Sequence, residues 1–240
     1  MHRFYCEKAM DGYGFLAPED VSHALKVLRL KPGDRVEAVC DGQRRSAEIA
    51  DEGRLLLHEL LPSTEPALKI TLFQGLPKAD KMDWIVQKAV EIGVFRIVPV
   101  LMERCVTRLS PQDAEKKRAR WARIAREAGK QSGRCLVPEV CPPVALSGIS
   151  FWSGGLEACA VPWEEERAKG PLAFVNSHPG LRSLGILIGP EGGISASEIE
   201  SLPPSFQAIT LGPRILRTET AGLSAASAFL ALYGEMEGIL

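Results

Sequence analysis

The sequence lacks the segments that mark exported, membrane-spanning and metal-binding proteins. None of its apolar runs approaches the roughly 20 residues that a transmembrane helix needs. The first residues contain no hydrophobic signal-peptide core. Its six cysteines are scattered, without a C-x-x-C pair. We therefore expect reduced thiols in a cytoplasmic protein, with no metal site and no disulfide framework.

Two common nucleotide-binding motifs are missing as well. No G-x-G-x-x-G follows a predicted strand, which excludes a Rossmann fingerprint, and no G-x-x-x-x-G-K-[ST] occurs, which excludes a P-loop. A nucleotide-like ligand would have to be held in another way. The hydrophobic content of 45% and the charged content of 25% are ordinary for a globular chain, which at 240 residues holds one large domain or two smaller ones.

Charge is unevenly distributed along the chain. The formal charge is −3 over residues 1–66, +7 over residues 67–150 and −5 over residues 151–240. Many of the basic side chains fall on a helix predicted at 111–130. A basic middle segment favours a polyanionic partner. The alternative is a well-solvated helix surface.

Residues 1–66 are predicted to form a small, mostly β domain. A short helix is expected at 21–28 and strands at 35–39, 46–50 and 55–60, with a hairpin turn at Asp41-Gly42. The following segment, 61–66, has the composition of a linker. We therefore place a domain boundary there and expect residues 67–240 to form a second domain.

Residues 67–240 have the pattern of an α/β domain. Strands are expected at 69–73 and 96–101, with an amphipathic helix between them that ends near Gly93. A β-α-β unit of this length implies parallel strands. Further strands are predicted at 184–188 and 207–211. The last helix, 223–233, is apolar nearly all round, which predicts burial on more than one side and against a second subunit.

Two glycine-bearing loops follow the last two predicted strands. The first spans 187–195 and leads into a capping box formed by Ser195 and Glu198. The second spans 211–220, with Thr218 or Thr220 as the cap of the next helix. Two such strand-loop-helix units indicate one ligand pocket at the carboxyl ends of the strands. The alternative is that the glycines only satisfy turn geometry.

Several motifs in the same order identify a resemblance. The chain resembles the bacterial ribosomal RNA small subunit methyltransferase E family nearly from end to end. The resemblance rests on five stretches, which are HALKVLRLKPGD at 23–34, KADKMDWIVQKAVEIG at 78–93, EAGKQSGR at 127–134, IGPEGG at 188–193 and LGPRILRTET at 211–220.

This resemblance implies a fold and an activity. It implies a PUA-like β-barrel RNA-binding domain at 1–66 and a SPOUT methyltransferase domain with a deep trefoil knot at 67–240. The implied enzyme uses S-adenosyl-L-methionine to methylate N3 of a uridine in 16S ribosomal RNA of the small ribosomal subunit. It would be a homodimer through its C-terminal helix. Two alternatives stay open, a SPOUT-fold assembly factor without catalysis and a methyltransferase for another RNA nucleotide.

The resemblance also implies site residues. The cofactor would lie against Ile188, Gly189, Pro190, Glu191, Gly192, Gly193, Leu211, Gly212, Ile215, Leu216 and Arg217, with Gln74 and Gly75 approaching it. Arg217 is the expected catalytic cation, because a guanidinium stays charged and gives two parallel hydrogen bonds. Glu219 is the candidate base, although it could instead orient Arg217 or only favour the helix N-terminus. The candidate RNA-binding residues are Lys26, Arg29, Arg104, Arg108, Arg123, Lys130 and Arg134.

Overall fold

The computed structural model describes residues 1–237. The chain divides into two units, Met1–Glu65 with Gly129–Val137, and Pro66–Ala128 with the residues from Pro138 onward. Each unit has its own hydrophobic core. None of the helices within residues 1–237 is long and apolar enough to cross a membrane.

Five strands form a closed barrel in the first unit. They are β1 (Arg3–Met10), β2 (Tyr13–Leu16), β3 (Arg35–Cys40), β4 (Gln43–Ile49) and β5 (Leu55–Leu60). Their order around the barrel is β1-β2-β5-β4-β3, and the parallel pairing of β1 with β3 closes it. Between β2 and β3, helix α1 (Pro18–Ser22) continues into a π-helical turn (His23–Val27).

The barrel confirms the strands predicted at 35–39, 46–50 and 55–60. Asp41 and Gly42 have φ values of 51° and 73°, the positive values that a two-residue hairpin turn requires. The sequence pattern did not reveal β1 and β2. In β1 the register shifts between Cys6 and Lys8 and the second half of the strand is exposed, so no alternation of apolar and polar residues marks it.

The expectation that all six cysteines are free is wrong for two of them. Cys6 on β1 and Cys40 on β3 form a disulfide, with Cα atoms 5.0 Å apart. They lie 34 residues apart in sequence and meet only because β1 and β3 are neighbours in the barrel. The remaining cysteines are buried thiols, and burial raises the pKa of Cys159 to about 12.

Seven strands, all paired in parallel, form the sheet of the second unit. They are β6 (Lys69–Gly75), β7 (Arg96–Leu101), β8 (Glu139–Val140), β9 (Val144–Ala145), β10 (Ala158–Pro162), β11 (Ser183–Ile188) and β12 (Phe206–Ile209). Their order is β12-β10-β11-β6-β7-β8, with β9 also paired to β7. An α/β chain that combines a parallel sheet with a small β-barrel is therefore confirmed.

The remaining helices are α2 (Lys81–Ile92), α3 (Pro111–Ser132), α4 (Ile149–Ser153), α5 (Pro171–Ser177), α6 (Ala196–Glu200) and α7 (Thr218–Leu232). Helix α2 ends as predicted at Gly93, whose φ of 115° lets the N–H groups of Gly93 and Val94 donate back to Val90 and Ala89. Helix α7 packs against α2, α5, β6 and β11. It therefore covers the part of the sheet from which the first glycine-bearing loop begins.

Arg134 is buried in the first unit, with 3% of its surface exposed. Its Nη2 lies 2.6 Å from Oε2 of Glu65, and Glu65 Oε1 also accepts a hydrogen bond from the N–H of Cys135 at 2.6 Å. A guanidinium enclosed in this way has no face to offer to a phosphate. This geometry assigns Arg134 a structural role, and we no longer propose it as an RNA contact.

Replacing Arg134 with methionine should destabilise the first unit. The partly buried Glu65 carboxylate would keep its backbone donors but lose its cationic partner, and breaking such an ion pair typically costs about 3 kcal/mol. Hydrogen exchange of the barrel amides would measure the loss. Arg45→Met is the matched control, because Arg45 binds only surface groups of the same barrel, and its effect should stay within about 0.5 kcal/mol. Equal losses in the two variants would contradict the structural role of Arg134.

Candidate functional site

Four neighbouring strands of the second unit send their loops to the same edge of the sheet. Strands β12, β10, β11 and β6 are adjacent and parallel, so their carboxyl ends lie side by side. The first glycine-bearing loop follows β11 and the second follows β12. In parallel α/β sheets this edge is where ligands bind. The predicted meeting of the two loops at the strand ends is confirmed.

Gly75 ends β6 in direct contact with the first loop. A Cβ atom at this position would lie 2.6 Å from the Pro190 nitrogen and 2.8 Å from the carbonyl carbon of Gly189. Both are backbone atoms that cannot rotate away. Only glycine fits here, and its absent side chain lets the backbone of the loop rest on the end of β6.

The Thr218 hydroxyl joins three segments of the chain. It donates to the Gly189 carbonyl at 2.6 Å and accepts from Nε2 of Gln74 at 2.9 Å. The prediction that Thr218 or Thr220 caps α7 is wrong, because Arg217 occupies the N-cap position and no side chain makes a cap hydrogen bond there. Thr218 is buried, and its long-range partners replace the local cap.

The first loop is held by its neighbours as well as by its own turn. Ser195 and Glu198 form the predicted capping box at the start of α6. Glu198 also accepts a hydrogen bond from the Glu103 N–H at 2.8 Å. Arg104 donates to the Gly192 carbonyl at 2.9 Å. A Cβ atom at Gly192 would come within 2.9 Å of the Arg104 Cβ atom, so glycine lets this arginine pack against the loop.

Two adjoining cavities open between the loops. The larger measures about 520 Å³ and is lined by the first loop, by the start of α7 and by Lys81. The smaller measures about 420 Å³ and is lined by the second loop and by residues 162–167. Glu164, Ile215 and Leu216 contribute to both. Cavities of about 300 to 1,000 Å³ suit small ligands and cofactors.

Lys81 forms ion pairs with two carboxylates at the larger cavity. Its Nζ atom lies 3.0 Å from Oε1 of Glu191 in the first loop and 3.1 Å from Oε2 of Glu219 in α7. These hydrogen bonds raise the pKa of Lys81. The ammonium therefore keeps its charge and neutralises part of an otherwise acidic edge.

The two glutamates stay ionised. Burial raises the pKa of Glu191, but hydrogen bonds from its own N–H group, from Lys81 and from the Lys78 N–H outweigh burial and bring the pKa below its usual range. Glu219 follows the same pattern: burial raises its pKa, whereas its own N–H group, Lys81 and the charge of Arg217 lower it. Both carboxylates are therefore negatively charged at neutral pH.

The structure brings together most of the predicted cofactor residues. The larger cavity is lined by Ile188, Gly189, Pro190, Glu191, Gly192, Gly193, Ile215, Leu216 and Arg217. The smaller one is lined by Leu211, Gly212, Ile215 and Leu216. Gln74 and Gly75 lie beneath the first loop, where Gln74 is fully buried, and neither lines either of these two cavities. They support the loop instead of facing the ligand space.

The predicted RNA contacts occupy different environments. Lys26, Arg29, Arg108 and Arg123 are exposed. Lys130 is part-buried and pairs with Asp20 at 2.7 Å. Arg104 is exposed, although its guanidinium also binds Gly192. The four exposed residues keep their charges accessible, while Lys130 and Arg104 already have partners within the protein.

Sequence reasoning missed Lys81, Thr218 and Glu164 as site residues. Lys81 stands out in one respect, because a lysine at the first position of a helix opposes the helix dipole. Thr218 carries no distinguishing local signal, since its partners are 29 and 144 residues away. Glu164 belongs to an acidic turn that follows β10, and a Cβ atom at Gly193 would lie 2.7 Å from its Oε1 atom.

Comparisons with known proteins cover nearly the whole chain. A family model described as an RNA methyltransferase domain matches residues 64–230, and one described as an RNA methyltransferase PUA domain matches residues 16–58. The ribosomal RNA small subunit methyltransferase E of Bacillus subtilis (strain 168) is 37% identical over 224 residues, which cover 88% of this chain and 86% of that protein. The protein of the same name from Aquifex aeolicus is 30% identical, with 95% and 98% covered.

Solved structures resemble the chain over a similar extent. A ribosomal RNA small subunit methyltransferase E from Neisseria gonorrhoeae, bound to S-adenosyl methionine, has a TM-score of 0.80 and 32% identity, with 97% of this chain and 98% of that chain covered. A putative methyltransferase from Legionella pneumophila, in complex with the same cofactor, has a TM-score of 0.79 and 29% identity, with 95% and 96% covered.

Replacing Thr218 with valine should destabilise the second unit. The change keeps the shape of the side chain but removes the hydroxyl that donates to the Gly189 carbonyl and accepts from the Gln74 amide. The amide keeps only its bond to the Gly75 carbonyl, and each lost hydrogen bond typically costs about 1–3 kcal/mol. Urea unfolding followed by tryptophan fluorescence would report it. Thr220→Val is the matched control, because Thr220 is exposed on the same helix turn. If both variants unfold at the wild-type urea concentration, the junction at Thr218 does not hold the loops.

Proposed function

This chain belongs to the ribosomal RNA small subunit methyltransferase E family, and on that premise we propose that it methylates N3 of a uridine in 16S ribosomal RNA. The observation that carries the proposal is the cavity between the two glycine-bearing loops, which has Arg217 on its wall. A pocket for a small cofactor thus lies beside a permanent cation that can act on a polar nucleobase.

The cofactor of the family is S-adenosyl-L-methionine, and the residues present fit it. Gly193 lines the larger cavity, and a Cβ atom there would lie 2.7 Å from Oε1 of Glu164, so the backbone of the first loop forms the wall of the ligand space at this point. Gly193 and Gly212 adopt φ values of 72° and 95°, which open the two loops around that space. The first loop, 188–193, and the second, 211–217, would hold the cofactor from opposite sides.

When bound, the cofactor would supply a methyl group on a sulfonium, whose carbon a nucleophile can attack in line while the neutral thioether leaves. Much of the catalysis is then positioning, which the two loops would provide. The uridine N3 must lose its imide proton to become a good nucleophile. We assign Arg217 to stabilise the resulting anion on N3 and the adjacent carbonyl oxygens, since a guanidinium stays charged and donates two parallel hydrogen bonds.

Glu219 takes a secondary part in this proposal. It is ionised and can accept a proton, but its lowered pKa makes it a weak base. Its carboxylate binds Lys81. We therefore propose that the Arg217 charge makes the larger contribution and that Glu219 accepts the imide proton only while Arg217 stabilises the anion.

The first unit is proposed to bind the RNA. Its match to a PUA domain and its exposed Lys26 and Arg29 support this role. Arg108 and Arg123 add exposed positive charge in the second unit. Such contacts with phosphates would make the affinity fall as salt rises. We keep residues 1–66 as the RNA-binding domain and residues 67–240 as the methyltransferase domain.

Three further properties are part of the proposal. We propose a SPOUT domain with a deep trefoil knot, a homodimer through α7, and action in the cytoplasm. The dimer is supported by the apolar side chain of Leu232 at the end of α7, which stays 41% exposed, and by Met236 just after it, which stays 59% exposed. A second subunit that covers these side chains would remove their apolar surface from water.

Methyl transfer can be tested on small ribosomal subunits from cells that lack this gene. We expect label from S-adenosylmethionine to enter 16S ribosomal RNA and nucleoside analysis to identify 3-methyluridine. Label in another nucleotide or another RNA would contradict the uridine-N3 assignment but not the activity. Cofactor binding or its absence, measured by calorimetry, would separate an enzyme with a different substrate from an assembly factor.

Arg217→Ala should lower the rate of methyl transfer far more than the affinity for the cofactor. Loss of one stabilising donor at a developing anion typically costs about a hundredfold in kcat. Arg217→Lys keeps the charge but loses the paired hydrogen bonds, so its rate should lie between the rates of the wild type and of Arg217→Ala. Arg214→Ala is the control for charge in the same loop, since Arg214 lines only the smaller cavity. Unchanged turnover in Arg217→Ala would refute the assignment.

A further inference from the structure

We propose that Lys81 is a positioning residue of the methyl transfer. It joins the first loop to the start of α7 through its two ion pairs and so fixes the spacing of the cavity walls. The inference rests on the proposed function, because it names a residue that prepares the same site. Nothing in the family resemblance assigned Lys81 a role.

The position of Lys81 needs an explanation of its own. Lys81 is the first residue of α2, where the positive end of the helix dipole disfavours an ammonium. Its two partners, 110 and 138 residues further along the chain, supply the compensating negative charge. The helix dipole disfavours a lysine at this position, and the ion pairs with two other segments of the chain explain why a lysine can be there.

Each partner is fixed to a different wall of the larger cavity. Glu191 belongs to the first loop and also accepts a hydrogen bond from the Lys78 N–H at 3.1 Å. Glu219 lies in the first turn of α7, beside Arg217 and Thr218. Lys81 itself lines this cavity. A change in the position of its ammonium would therefore move the loop relative to the proposed catalytic arginine.

The charges that face Lys81 predict what its removal does. They are the carboxylates of Glu191 and Glu219, with the Arg217 guanidinium acting on Glu219. Both carboxylates contact the same ammonium, at 3.0 and 3.1 Å, so without it two like charges are left close together, and they repel. The pKa of each carboxyl then rises, because a hydrogen bond that had lowered it is gone. Protonation on lowering the pH would relieve the repulsion.

The test compares Lys81→Met, Lys81→Arg and Lys88→Met. Lys88 is the matched control, since it lies on the same helix and its Nζ atom is 2.8 Å from Oε2 of Glu91. Neither residue lines the larger cavity. S-adenosylhomocysteine is the binding probe, because its neutral sulfur removes the direct attraction between a sulfonium and the freed carboxylates. We expect its affinity to fall about tenfold in Lys81→Met, with kcat also reduced, and to change little in the other two variants.

Two readouts separate this electrostatic role from simple packing. In Lys81→Met, the affinity for S-adenosylhomocysteine should recover as the pH is lowered from 8 toward the ordinary pKa of a glutamate, about 4 to 5. The affinity of the wild type should stay constant over the upper part of this pH interval. The double variant Lys81→Met with Glu219→Gln should recover part of the loss at neutral pH, because only one carboxylate remains. A thermal melt of each variant confirms that it is folded.

The outcomes are distinguishable from failure of the proposed function. Wild-type protein that binds no cofactor and transfers no methyl group would refute that function. If the wild type is active and Lys81→Met matches it, the role of Lys81 is refuted alone. If Lys81→Met instead loses affinity because of altered packing, the loss is also present in Lys81→Arg and in the double variant and does not recover at low pH. This result would also overturn the proposal.

Discussion

The hydroxyl of Thr218 is the contact on which the rest of the site depends. It is buried, and it both donates to the Gly189 carbonyl and accepts from the Gln74 amide. Breaking a buried hydrogen bond leaves a polar group without a partner at a cost in free energy, so these two bonds hold the three residues in place. The ends of β6 and β11 and the start of α7 therefore share one fixed point, and the two loops open from it.

Charge is arranged around this fixed point in a way that suits a cationic cofactor and an anionic intermediate. Glu191 lines the larger cavity as a carboxylate, Glu219 lies behind Lys81 in the first turn of α7, and Lys81 pairs with both. Arg217 occupies the N-cap position of the same helix from which Glu219 extends. In the proposed mechanism, this arrangement of cations and carboxylates would let the site bind a sulfonium and also stabilise a negative charge on the nucleobase.

Local patterns predicted local structure well. Three predicted features depend only on residues within a few positions of one another, and all three are confirmed. They are the end of α2 at Gly93 with its positive φ, the hairpin turn at Asp41-Gly42 and the capping box at Ser195. Contacts between distant residues were not predictable in this way. The Cys6–Cys40 disulfide, the Thr218 junction and the Lys81 ion pairs exist only after the sheet and barrel bring their partners together. The residue pattern and the family resemblance both identified the loops but not the contacts that hold them.

A crystal structure of this chain with S-adenosylmethionine would test the account most directly. The account predicts a cofactor that lies between residues 188–193 and 211–217, held largely by backbone groups, with the Lys81 and Thr218 contacts unchanged and the Arg217 guanidinium facing the space beside the methyl group. A cofactor bound away from these loops, or loops that separate at Thr218 when it binds, would contradict the account.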